Sequence, residues 1–308
     1  MIRGLRLTAV AAGLLGACCV GSSSAAQRVS APLPPLASVL LATGDFAPGG
    51  HVASQRAVTL AGLPGYIRVF KSGIKLGGRP LLLAVGVGLL EPDAVSAHSD
   101  LTQVEGAAQT KAGRHALAKA WGTDFLKGAN AGGGHRITVK STVVGPPVLV
   151  ADGVMRLALT ISTNVGTVRM AIGFVQTDRV LEIVELAGRL DERIATGDIG
   201  RVISAAQQHL RAAFTVTSTS PPTIAGTPQQ GQPLTVDEGM WTGAPSGFTY
   251  VWSHCDATGN ACTAIAGATA SSYVPGPGDS GMTIRVTVTG ANSVGSQPAT
   301  SPPSGLVA

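Results

Sequence analysis

At 308 residues, with 44% hydrophobic and 13% charged side chains, the chain has room for two domains and is too apolar to be a disordered polymer. The net charge is +5, yet aromatics make up only 4% of residues, too few to interleave with the basic positions as nucleic-acid recognition requires. The charge is also uneven: residues 216–308 hold Asp237, Glu238, Asp256 and Asp279 against Arg285 alone, a net −3, which leaves +8 on the residues before them.

Residues 1–26 read as an export signal. Arg3 and Arg6 precede an uncharged run from Leu7 to Val20, and small residues follow from Gly21 to Ala26. The apolar run is shorter than the ~20 residues of a spanning helix, and no later stretch qualifies, so no transmembrane span is expected in the mature chain. Two cleavage schemes fit. Ser24-Ala25-Ala26 before Gln27 has the small-x-small form of an ordinary signal-peptidase site, whereas Leu15-Gly16-Ala17-Cys18 has the form of a lipobox that would leave a lipid on Cys18. Cleavage after Ala26 leaves Cys255 and Cys262 as an even pair; cleavage before Cys18 leaves Cys19 without a partner. Under either scheme the protein is expected outside the cytoplasm, free or in the cell envelope. Residues 27–35, Pro-rich and polar, follow as a tether.

Residues 36–214 mix two periodicities and predict an α+β domain, an antiparallel sheet with two helices. Leu81, Leu83, Val85, Val87 and Leu89 form one strand face, and Ala84, Gly86 and Gly88 form a flat opposite face that another element can approach closely. A helix is expected over about 104–127, with Leu117, Trp121 and Phe125 on one stripe and Gly106 and Gly113 weakening it. Gly132-Gly133-Gly134 reads as a hinge, and Ile137 and Val139 mark a strand. Met155, Leu157, Leu159 and Ile161 alternate with Arg156, Thr160 and Ser162; Asn164-Val165-Gly166 turns; Val168, Met170, Ile172 and Phe174 repeat the alternation. Thr177-Asp178 turns again into Val180 to Leu186, which makes a three-stranded meander. A second helix, capped by Asp198, carries Ile199, Val202, Ile203, Ala206 and Leu210 on one stripe. This order, with GDFAPGG at Gly44–Gly50 and GYIRVFKSG at Gly65–Gly73, loosely resembles the PsbP-like fold of small exported actinobacterial lipoproteins.

Residues 215–221 (TVTSTSP) read as a linker, and 222–308 as an all-β domain. Phe248, Tyr250 and Trp252 alternate with polar neighbours, as do Ile284, Val286 and Val288, between Gly/Pro/Asn turns. Gly226, Gly231, Trp241, Tyr250-x-Trp252, the Cys255–Cys262 pair, Ala268-Thr269, Tyr273 and Asp279-x-Gly281 are similar to the immunoglobulin-like modules of secreted actinobacterial proteins. The resemblance implies a β-sandwich with Trp252 as core anchor. A Cys255–Cys262 disulfide would clip a local loop and not join two sheets.

Candidate chemistry is thin. Gly278-Asp279-Ser280-Gly281 matches the core of a chymotrypsin-type nucleophile motif, and Ala97-His98 its histidine box, but the two fall in different domains and Met282 replaces the expected glycine. His98 and Asp100 stand two apart in an expected loop, too few for zinc. Glu182 and Glu185 lie three apart in a strand, on opposite faces, which is wrong for a paired-carboxylate hydrolase. No cofactor motif is present: Gly86-Val87-Gly88 lacks the third glycine of a dinucleotide loop. Arg68, Lys71, Lys75 and Arg79 cluster about an expected hairpin and offer a surface for an anionic ligand. The expectation is a non-enzymatic exported or envelope protein with a binding, adhesion or spacer role. Its partner would be an anionic envelope polymer or another surface protein. The alternative is a hydrolase of envelope polymers with the β-sandwich as accessory module.

Overall fold

The computed structural model describes residues 36–46, 51–60, 62–71, 75–76, 79–130, 137–151 and 153–308. The leader, Cys18, the tether and the Gly132–Gly134 hinge lie outside them. The described chain is mostly antiparallel β-structure and divides into two compact units between Arg211 and Ala212.

In the first unit a one-turn helix α1 (Leu36–Val39) precedes β1 (His51–Leu60), β2 (Leu63–Lys71), β3 (Lys75–Leu76) and β4 (Arg79–Leu90). Two helices, α2 (Ala94–Gln109) and α3 (Lys111–Asn130), separate these strands from β5 (Val139–Val144), β6 (Val148–Ala151), β7 (Val154–Thr163), β8 (Thr167–Thr177) and β9 (Val180–Gly188). The unit closes with α4 (Thr196–Phe214), inside whose last turn the division falls. The sheet runs β1-β2-β4-β9-β8-β7-β5, with β3 beside β4 and β6 beside β7. The meander appears as the alternation predicts, Ile161 opposite Val168 and Met170 opposite Ala187.

The expected single helix is two helices. Thr110 takes an extended backbone (φ −92, ψ 149) and ends α2, and its hydroxyl accepts a bond from the Gly113 amide at 3.0 Å to start α3. A Cβ on Gly113 would lie 2.0 Å from the Ala107 carbonyl, so the glycine permits the tight join. Asp93 caps the first turn of α2 through the Ser96 amide, at 2.7 Å. Leu101 and Val104 from α2 join Leu117 and Trp121 from α3, all buried, against Leu157, Ile172 and Ile183. The side chain of Phe125 lies outside the described set. The expected cap of α4 is also revised. The helix begins two residues earlier, with the Ala195 carbonyl accepting from the Ile199 amide, and Asp198 pairs inside the first turn with Arg201.

Strand β9 is buried at every position. One face meets the α2–α3 layer. The other holds α4, whose Ile203 would lie 2.7 Å from a Cβ on Gly173, and the segment 36–46. Two covered faces explain why β9 reads as a run without polar alternation apart from its two glutamates.

The second unit contains β10 (Thr217–Ser220), β11 (Thr223–Ala225), β12 (Leu234–Asp237), β13 (Met240–Thr242), β14 (Gly247–Cys255), β15 (Thr263–Ala264), β16 (Ser272–Tyr273), β17 (Thr283–Ala291) and β18 (Ser296–Thr300). They pair as β10-β13, β11-β12-β16 and β15-β14-β17-β18. Trp252, Ile284, Val286 and Val288 share a core with Leu234, Trp241 and Val216. The expected linker is thus part of the unit: Thr217 pairs with Thr242, and Val216 is buried. Its small hydroxyl residues disguised a strand, because they supply β-propensity without an apolar face.

Cys255 and Cys262 are joined by a disulfide that closes the short loop after β14. Closing so short a loop stabilises by about 2–3 kcal/mol in the chain-entropy model. Replacing Cys262 by serine should lower the unfolding free energy of the second unit by that amount in urea titrations. An unchanged midpoint would contradict it.

Candidate functional site

The flat face of β4 is covered as expected. A Cβ on Gly88 would lie 2.7 Å from a Leu40 methyl, and one on Gly86 3.7 Å from the Leu41 Cβ, so these glycines let the segment 36–46 lie against the sheet. Leu40 and Leu41 are buried there. Cross-strand pairing puts Arg68 opposite Gly86 and Glu182 opposite Gly88, so both side chains rise on this face.

Arg68 and Glu182 hold the main chain of Leu41 by its carbonyl and its amide. The Arg68 guanidinium donates to the carbonyls of Leu41 at 2.7 Å and Ala37 at 2.6 Å, and its Nε donates to the Gln55 side chain at 3.1 Å. Glu182 Oε1 accepts from the Leu41 amide at 3.2 Å. Asp45 accepts from the Ala42 amide at 2.6 Å and lies 3.5 Å from His209 Nε2 of α4. Burial pushes the Glu182 carboxyl up to about 8; the Leu41 amide and Arg68 oppose this, and Asp45 adds to it. This niche fastens a segment onto the sheet. It corrects the expectation for Arg68, which is spent on the carbonyls of α1 and its C-terminal extension and is not an open surface cation. The β3–β4 hairpin forms around Lys75 and Arg79, but the side chains of Lys71, Lys75 and Arg79 lie outside the described set.

A different basic site lies on the outward face of β7 and β8. Arg156 and Arg169 stand on either side of a cross-strand pair of small residues, Ala158 opposite Ala171. Arg193 joins them from the segment before α4, and Thr196, the first residue of that helix, closes one end. The groove has a volume of about 210 Å³, and among the described residues its charged lining is these three arginines alone. Arg156 Nη1 reaches the Thr196 carbonyl at the long distance of 3.5 Å. Arg169 Nη1 is buried and has no hydrogen-bond partner among the described residues. Three guanidinium groups beside the positive end of a helix dipole attract anions. The lining offers neither a carboxylate nor a histidine, so its chemistry is electrostatic holding, not proton transfer.

The remaining candidates stay apart. His98 and Asp100 stand in α2 and not in a loop, His98 exposed and Asp100 buried, and two residues apart on a helix they face different ways. Glu185 lies opposite Val85 and Ile172 on the face away from Glu182, as the strand spacing requires. Asp279 is buried in the second unit, accepting from the Tyr273 hydroxyl at 2.5 Å and the Gly276 amide at 2.9 Å, with His254 Nδ1 at 3.3 Å. Burial works against its charge, but those three bonds outweigh burial and hold its carboxyl below the usual range. It ties a turn together, and the neighbouring Ser280 is exposed. No group of three or more His, Cys, Asp or Glu able to hold a metal ion occurs among the described residues.

Sequence reasoning missed the arginine groove because Arg156, Arg169 and Arg193 are dispersed along the chain. A signal existed: the turn at Asn164-Val165-Gly166 sets the hairpin register, which puts Thr160 opposite Arg169 on the same outward face as Arg156. Arg193 had no comparable signal.

No protein-family model and no curated protein matches this chain. Among solved structures, the extracellular domain of PknH from Mycobacterium tuberculosis is similar at 9% identity, over 47% of this chain and 62% of that one, with a TM-score of 0.28. A multi-domain segment of titin is similar at 10% identity, over 84% of this chain and 99% of that one, with a TM-score of 0.22. Similarity this slight carries no argument about fold or function.

Proposed function

We propose that this chain is an exported, non-enzymatic binding protein of the extracellular space or cell envelope. Its first unit presents the ligand surface, and its second is an immunoglobulin-like sandwich acting as spacer or adhesion element. The observation that carries the reading is the groove of Arg156, Arg169 and Arg193, whose lining among the described residues holds no carboxylate and no histidine. The disulfide supports an oxidising compartment, and no helix among the described residues is long and apolar enough to cross a membrane. Three groups of antiparallel strands around the Trp252 core support the sandwich. The hydrolase alternative finds little support, since the two buried strand acids, Glu182 and Glu185, face opposite sides of the sheet.

The test is co-sedimentation of the full mature chain with insoluble cell-wall material. Pelleting at low salt that about 0.5 M salt reverses is the expected result, because such salt shortens the screening length to a few ångströms. A chain that stays in the supernatant at both salts would overturn the reading.

A further inference from the structure

We infer that the Arg156–Arg169–Arg193 groove is a phosphoryl-binding site, taking the phosphate group of an ester or of the free ion. The inference rests on the binding role proposed above and names its ligand class. Three features select the chemistry. First, the buried Arg169 Nη1 lacks a hydrogen-bond partner among the described residues, and a buried cationic donor left so is costly unless an acceptor arrives. Second, a carboxylate brings one charge and two oxygens, enough for one guanidinium fork. A phosphate monoester brings a charge of about −1.5 to −2 and three acceptor oxygens, which matches three cations. Third, the first turn of α4 borders the groove at Thr196, and a helix start carries a positive dipole that favours an anion, the Asp198 carboxylate of that turn being paired with Arg201.

Size narrows the class further. At about 210 Å³ the groove is smaller than the ~300–1,000 Å³ of pockets that enclose whole small molecules, so it suits one compact head group of a larger ligand. The small Ala158–Ala171 pair stands between the positions of Arg156 and Arg169 on this face of the sheet. Phosphate carried by a lipid, by an envelope polymer or free in solution shares this chemistry.

The experiment titrates the full mature chain with inorganic phosphate and, at matched ionic strength, with acetate, followed by calorimetry. Phosphate should bind roughly tenfold or more tightly than acetate, and Arg169→Gln and Arg193→Gln should each weaken it by roughly tenfold or more. Arg193 is exposed, so its variant keeps the test valid should Arg169→Gln fail to fold. Affinity should also rise between about pH 5 and about pH 7.5, as the phosphate loses its second proton near 6. Equal affinity for acetate and phosphate, or two folded variants that bind as the parent does, would overturn the assignment. Flotation with phosphatidylcholine vesicles, plain or doped with phosphatidic acid, separates the sources. Capture by doped vesicles alone assigns a lipid head group, and phosphate binding without vesicle capture assigns a soluble or polymer-borne group. If wall material pellets the chain but phosphate does not bind, only the phosphoryl assignment falls. If phosphate binds and nothing pellets, the envelope reading falls and the site stands.

Discussion

The first unit should lose on the order of 5 kcal/mol of stability between about pH 4.5 and pH 8 through Glu182 alone. In the folded chain burial holds the Glu182 carboxyl at about 8, against an ordinary value of 4.5. A raised folded value means that the native state keeps a proton that the unfolded state has released. The contribution is therefore complete below about 4.5, falls as pH rises, and is exhausted above about 8. Glu182→Gln keeps an acceptor for the Leu41 amide and removes the titration. Urea titrations of parent and variant across this range should show the two lines crossing or diverging, with the variant more stable at about pH 9. A difference between them that stays constant with pH would refute the assignment.

Trp252→Ala should remove about 3–5 kcal/mol from the second unit, a large share of the ~5–15 kcal/mol that keeps an ordinary domain folded. Trp252 is fully buried, its Nε1 donates to the Ala270 carbonyl at 2.8 Å, and its ring lies 5.6 Å from that of Tyr273. Its main chain is also committed, with the amide bonded to Ala268 and the carbonyl to Ile265. Truncation therefore opens a cavity and strips a buried carbonyl of its donor at once. Trp252→Phe, which retains most of the volume but not the donor, should fall between parent and alanine variant. Far-UV circular dichroism against urea reads all three, and a loss below about 1 kcal/mol for the alanine variant would sink the argument.

Much of this architecture is legible in local pattern. The alternation of Met155 to Ile161 and Val168 to Phe174 specified a hairpin whose register the structure reproduces, because a slip by one residue would expose every apolar side chain. The stripe Ile199, Val202, Ile203, Ala206 and Leu210 specified α4, all five buried. Gly86 and Gly88 marked a face for close approach, and Leu40 and Leu41 fill it. Errors came where one residue plays two parts. Thr110 ends α2 and starts α3, which a hydrophobic stripe across 104–127 cannot reveal. Val216 buries itself from a stretch of hydroxyl residues that reads as a linker.

The sequence by itself determined the β7–β8–β9 meander and the apolar stripe of α4, since alternation and turn residues act between near neighbours. It also determined the local disulfide partners, which stand only seven positions apart. Only the tertiary structure decided which charges gather at one site. Arg68, in the basic cluster that the sequence offers as a surface, is consumed by the carbonyls of Ala37 and Leu41, while Arg156, Arg169 and Arg193, scattered along the chain, gather in one groove. The physical reason is that a guanidinium group is committed by whichever acceptors the fold brings within hydrogen-bond reach. Those acceptors come from segments far away in the chain, whose positions are set by sheet order and not by local pattern.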